Sequence, residues 1–129
     1  MMTVLIADDE PYVVDLVRVT LEDDRLRVVD ASDGEQALVM AHAEHPDVVL
    51  LDVQMPRLNG LDVCRRLRAE PEFVDTRIIM LTAAAQADDV ARGFAAGADH
   101  YLTKPFSPIA LLTLLERLMP EAMLWMPES

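Results

Sequence analysis

The chain has 129 residues, 52% of them hydrophobic, with 23 acidic side chains against 11 basic ones and a net charge of −12. That length supports one domain with a single substantial core, and the negative charge opposes phosphate backbones and anionic membranes, so direct nucleic-acid or membrane binding by this chain is not expected. No apolar run approaches the roughly 20 residues that span a bilayer, the start "MMTVLIADDEP" lacks a basic flank and a cleavage pattern, and the lone Cys64 excludes an internal disulfide; a cytoplasmic protein is expected.

Five short apolar segments recur along the chain, Val4–Ala7, Leu26–Ala31, Val48–Leu51, Ile78–Leu81 and Ala98–Leu102, each followed by a helical pattern. Pro11 suits the first turn of helix one, whose Val13, Val17 and Leu21 lie on one stripe. Asp33 precedes a second helix near Gly34–Glu44, and Pro46 stops it. Val48–Leu51 runs straight into Asp52, with the turn formers Met55-Pro56 and Asn59-Gly60 behind it, which reads as a strand buried on both faces. A third helix is expected from about Leu61 to Ala69, a fourth from Ala87 to Ala96 with Gly97 ending it, and a fifth from Pro108 to Met119.

Alternating strands and helices joined by short connections imply a parallel sheet with right-handed crossovers and helices on both faces, a three-layer (βα)₅ doubly wound α/β domain. Pattern alone does not choose the strand order. Asp8 and Asp9 end strand one and Asp52 ends strand three, so if these strands are neighbours, as in the order 2-1-3-4-5, three carboxylates converge at the edge where open α/β sheets bind ligands.

Carboxylates held that close repel one another, and loss of water worsens it. An oxygen-only site of this kind is what Mg²⁺ prefers. The plainer reading, in which Asp8 and Asp9 cap helix one and Asp52 starts a turn, leaves the other strand ends unexplained. Strand four ends at Thr82, and strand five leads through "HYLTKPF" to Lys104, the chain's single lysine. Jointly these residues compose an anion site around one carboxylate, as phosphoryl transfer to that carboxylate requires.

Asp8-Asp9, Asp52 followed by "VQMPRLNG", Thr82 followed by Ala83 and Ala84, and "GADHYLTKPF", with gaps of 30 residues from Asp52 to Thr82 and 22 from Thr82 to Lys104, resemble the receiver domains of two-component response regulators. The resemblance runs from about Thr3 to Met119 and implies a CheY-like, flavodoxin-like fold. It implies a receiver over residues 1–119, with 120–129 a C-terminal tail or the start of a linker. The implied function is a phosphorelay switch, not a classical enzyme: Asp52 takes a phosphoryl group from a sensor histidine kinase or phosphotransfer protein. Asp9, Asp52 and the backbone carbonyl of Gln54 would ligate Mg²⁺, with Asp8 acting through water. Lys104 and Thr82 would hold phosphoryl oxygens, a cis Lys104-Pro105 bond would aim the lysine, and Tyr101 would report the state to the surface of helix 4, strand 5 and helix 5. Gln54 and Ala84 would tune the lifetime of the phosphoryl group. The output, whether a separate target or a further domain of a longer regulator, is not legible.

Two rivals are weighed. A haloacid-dehalogenase-type Mg²⁺-dependent aspartyl-phosphate phosphatase needs an Asp-x-Asp pair, which Asp8-Asp9-Glu10 does not supply. A non-phosphorylated receiver-like scaffold would lack at least one of Asp8, Asp9, Asp52, Thr82 and Lys104. His42, His45 and His100 show no metal-like spacing and are read as solvated or capping, Cys64 as packing, and the scattered methionines as core. Helix five carries an apolar arc of roughly 200°, more than its own core needs. Either the tail "EAMLWM" covers the surplus, or the helix 4–strand 5–helix 5 face forms a homodimer or meets a target.

Overall fold

The computed structural model describes residues 2–83 and 87–120, with residues 87–89 described in backbone only. Five strands, β1 (Met2–Ala7), β2 (Leu26–Ala31), β3 (Val48–Asp52), β4 (Arg77–Thr82) and β5 (His100–Thr103), form one parallel sheet in the order β2-β1-β3-β4-β5. Five helices follow them: α1 (Pro11–Leu21), α2 (Gly34–Glu44), α3 (Gly60–Arg68), α4 (Ala87–Ala96) and α5 (Pro108–Leu118).

Because successive strand residues point to opposite faces, the continuous apolar strands feed two cores at once. Val4, Ile6, Val48, Leu50, Ile79 and Leu81 meet Val13, Val17 and Leu21 of α1 and Leu111, Leu114 and Leu115 of α5. Leu5, Ala7, Val49, Leu51, Ile78 and Met80 meet Ala37 and Ala41 of α2, Val63, Cys64 and Leu67 of α3, and Ala96 of α4. Truncating a fully buried member such as Leu50 to Ala costs about 2–5 kcal/mol.

The helix starts follow local chemistry. Pro11 and Pro108 occupy first-turn positions, and the side chains of Asp33, Asn59 and Ser107 accept hydrogen bonds from the backbone N–H groups of Gln36, Asp62 and Ala110. At Gly60 a Cβ would lie 2.1 Å from the carbonyl oxygen of Asp52, so only glycine lets α3 start this close to the end of β3.

Several element ends shift by one or two residues from expectation, and three differences bear on packing. β5 begins at His100 rather than Ala98, because Asp99 belongs to a turn: its carboxylate accepts from Ile78 N–H at 2.8 Å and from Arg68 at 2.7 Å. The third helix opens at Gly60 and ends at Arg68, with a 3₁₀ turn at Pro71–Phe73 behind it. The apolar arc of α5 is more fully used than expected, since Leu112, Leu118 and Met119 are partly buried against the α1–α5 core; Ile109 remains exposed. Ala84 and the segment "EAMLWM" lie outside the described residues.

Candidate functional site

Register brings the acids together. Ala7 pairs with Leu51, so the next residue of each strand, Asp8 and Asp52, ends adjacent strands side by side. On the other flank Asp52 pairs with Leu81, Thr82 pairs with Thr103, and Lys104 N–H donates to the Thr82 carbonyl at 2.7 Å. Asp8, Asp52 and Thr82 are buried, at 1%, 5% and 3% exposure. Asp9 is exposed and Glu10 half-buried at the rim. Donor oxygens of Asp8, Asp9, Glu10 and Asp52 all fall within 4.8 Å of one another.

Lys104 is the counter-charge. Its Nζ lies 2.8 Å from Asp8 Oδ2, 2.6 Å from Glu10 Oε1 and 3.3 Å from Asp52 Oδ2, with the lysine side chain only 9% exposed. The Lys104–Pro105 peptide bond is cis, as the resemblance implies. Asp8 Oδ1 accepts from Glu10 N–H at 2.9 Å and Asp52 Oδ1 from Gln54 N–H at 3.1 Å, leaving their other oxygens facing the ammonium.

Four carboxylates against one ammonium leave an excess of negative charge, and burial sharpens its effect on their proton affinities. Burial, followed by the charge of Asp8, pushes Asp52 up to about 6. Asp8 is likewise raised by burial, although Lys104 and the Glu10 N–H oppose the shift. Burial works against the Lys104 charge, but hydrogen bonds to Asp8 and Glu10 and the field of Asp52 outweigh it and hold the ammonium above its ordinary range. Glu10 is lowered by its hydrogen bond from Lys104 and a second from the Tyr12 hydroxyl.

The donor set suits a hard divalent cation. It offers carboxylate oxygens alone, carries more negative charge than Lys104 can neutralise, and opens at Asp9 into a cleft of about 510 Å³ bordered by Gln54, Pro56, Asn59 and Arg92. Gln54 is exposed at the mouth.

Tyr101 stands apart from this cluster. It is half-buried against the core under α2, α3 and α4, edge-on to Phe94 of α4 at 6.2 Å between ring centroids and tilted against His100 at 5.6 Å. Cys64 is buried and its thiol is pushed up to about 11 by that burial, in keeping with a packing role.

Sequence reasoning missed Glu10 as a partner of Lys104, since the contact joins residues 94 apart; the run Asp8-Asp9-Glu10 was the available signal. His42 and His45, read as solvated or capping, are exposed, and His45 caps α2; His42 also sits with Glu70 and Glu72 in a group whose donor atoms lie within 4.8 Å of one another.

Residues 4–116 match the family model described as the response regulator receiver domain. The alkaline phosphatase synthesis transcriptional regulatory protein PhoP of Bacillus subtilis is 45% identical over 105 residues, covering 81% of this chain and 43% of PhoP. The DNA-binding dual master transcriptional regulator RpaA of a Synechocystis strain is 40% identical over 119 residues, 92% of this chain and 49% of RpaA. The chain thus spans under half the length of these two relatives. Among solved structures, the chemotaxis response regulator CheY4 of Vibrio cholerae superposes with a TM-score of 0.86 at 35% identity, over 92% of this chain and 99% of that one. The response regulator DrrB of Thermotoga maritima gives 0.82 at 33% identity, over 94% of this chain and 54% of that one. These similarities favour neither the phosphatase nor the scaffold reading.

Proposed function

The chain belongs to the response regulator receiver domain family, and from that premise we propose that Asp52 is its phosphoacceptor and Lys104 the residue that answers the phosphoryl group. The supporting observation is the burial of Asp52 beside Asp8 with Lys104 Nζ within 3.3 Å of both.

An Asp52 carboxylate oxygen attacks the phosphorus of a phosphohistidine on a sensor histidine kinase or phosphotransfer protein. The P–O bond to Asp52 forms as the N–P bond breaks, and the histidine leaves with the electron pair. Only the ionised carboxylate attacks, and with its pKa near 6 Asp52 is ionised at neutral pH. Mg²⁺ held by Asp9, Asp52 and the Gln54 carbonyl, with Asp8 through water, would neutralise charge on the transferring oxygens. Lys104 exchanges Asp52 for a phosphoryl oxygen, and the Thr82 hydroxyl donates to another. Both interactions exist only with the phosphoryl group present, so they bias the resting and activated states differently. Tyr101 would carry that bias to the α4–β5–α5 surface, which would then meet a second copy or a target. Gln54 and Ala84 would set access of water to the aspartyl phosphate. With relatives named as transcriptional regulators, the output would be transcription, controlled through an effector that these residues do not identify.

The test is phosphorylation by acetyl phosphate followed by intact mass measurement. Wild type should gain one phosphoryl mass with Mg²⁺ and none with EDTA, and Asp52→Asn should gain none; a gain that persists in Asp52→Asn overturns the assignment.

A further inference from the structure

A second cluster lies at the opposite edge of the sheet, where α2 ends and the 3₁₀ turn Pro71–Phe73 leads into β4. His42 Nε2 is 2.9 Å from Glu70 Oε1, 3.0 Å from Glu70 Oε2 and 4.0 Å from Glu72 Oε1, and His45 Nδ1 is 3.5 Å from Glu72 Oε2. We propose that His42, Glu70 and Glu72 form a binding site for a divalent transition metal of the Zn²⁺ class that ties the end of α2 to the 3₁₀ turn.

Three features carry the inference. The first is spacing: ligand atoms of a tetrahedral zinc site with bonds of about 2.0–2.1 Å stand about 3.3–3.4 Å apart; His42 Nε2 stands 2.9 Å from Glu70 and 4.0 Å from Glu72, and ligand atoms of all three residues lie within 4.8 Å of one another. The second is ring orientation. His42 Nδ1 lies 2.7 Å from the Leu38 carbonyl, which can only accept, so Nδ1 carries the proton and Nε2 is the atom turned toward the carboxylates. Metal-ligating histidines are held in this way by a backbone carbonyl on the far nitrogen. The third is preorganisation. Both rings rest on the buried Phe73, His42 edge-on at 5.3 Å and His45 stacked at 6.2 Å, and His45 reaches that position because it ends α2 in a left-handed conformation, φ 45°.

The chemistry separates this site from the acidic pocket. An imidazole beside two carboxylates favours Zn²⁺ over Mg²⁺, whereas the Asp52 pocket offers oxygen alone. Two glutamates also balance a divalent charge. In the metal-free protein a proton on Nε2 serves the same contact as a hydrogen bond to Glu70. A plain ion pair would account for that hydrogen bond, but it predicts no response to Zn²⁺.

The experiment is calorimetric titration of tag-free protein with Zn²⁺ in a non-chelating buffer containing saturating Mg²⁺ to occupy the acidic pocket, with Co²⁺ absorption as a check on nitrogen ligation. Wild type and Asp52→Asn should each bind one equivalent in the micromolar range. His42→Gln and Glu70→Gln, confirmed folded by circular dichroism, should bind roughly tenfold or more weakly. Binding of wild type only at millimolar Zn²⁺, or equal binding by wild type and both variants, overturns the proposal.

Discussion

The two edges of the sheet hold comparable collections of charge in opposite settings. At the carboxyl edge Asp8, Asp52 and the Lys104 side chain are nearly removed from water. At the amino edge His42, His45 and Glu72 are exposed and Glu70 half-buried. Water screens the second group, so its members change charge at little cost. In the first, carboxylate oxygens lie within 4.8 Å of one another, and two like charges at about 4 Å repel by about 4 kcal/mol at an effective dielectric of about 20. Burial therefore turns an ordinary group of acids into a store of unfavourable free energy, which Lys104 offsets in part and a bound cation can relieve further. The amino edge gathers acids and histidines without the store.

The largest break in this comparison should come from Lys104→Met, which leaves buried acids without their cation. We expect a loss of about 3–5 kcal/mol near neutral pH, largely restored by millimolar Mg²⁺ or by a second change, Asp52→Asn; denaturant melts with and without metal check this. A loss below about 1 kcal/mol would mean the pocket is far better solvated than its burial indicates.

Next comes Asp52→Asn. The folded pKa of Asp52, about 6, exceeds its ordinary value of 3.8, so between these values the folded state keeps a proton that the unfolded state has lost. Stability from this group is lost as pH rises through that window and is level above it, by an amount on the order of 3 kcal/mol at most. With EDTA present, the advantage of Asp52→Asn over wild type should grow from pH 4 to pH 6 and then stop growing. A constant difference across thermal melts in that range would contradict the assignment of the shift to Asp52.

A smaller effect is expected from Glu10→Gln, which removes a half-buried rim partner of Lys104 while leaving Asp8 and Asp52 in place. Stability should change little, but acetyl phosphate labelling should change severalfold in rate, because Lys104 has one fewer carboxylate to leave. Equal rates would show that Glu10 does not restrain the lysine.

The smallest belongs to the amino edge. The Glu70 hydrogen bond, followed by the Leu38 carbonyl, raises His42 above its ordinary pKa. The contribution of His42 is therefore fully present below pH 6.5 and disappears as pH rises through the raised value. Without metal, His42→Gln should cost less than about 1 kcal/mol below pH 6 and nothing above pH 9, by denaturant melts at both.

The carboxyl edge was legible because each of its members ends or immediately follows an apolar strand. Once strand order is fixed, adjacency of strand ends follows from parallel register, as with Ala7 opposite Leu51 and Thr82 opposite Thr103. Glu10 was not legible in that way, since its role depends on how far the Lys104 side chain reaches across the crevice. The amino edge depends on a 3₁₀ turn that charged, proline-containing "EPEF" conceals, and on a left-handed His45 that no periodicity encodes. The same turn region displaced the start of β5: Arg68 reaches Gly97, Phe73 and Asp99 together and holds Asp99 out of the strand.

The most direct test of the phosphoacceptor assignment is chemical mapping. Protein treated with acetyl phosphate and Mg²⁺ is reduced with borohydride, which converts an aspartyl phosphate to homoserine, and then digested and sequenced by tandem mass spectrometry. Homoserine at position 52 alone is the predicted result. Homoserine at position 8 or 9, or a stable phosphate on a histidine, serine or threonine with Asp52 unmodified, would contradict it.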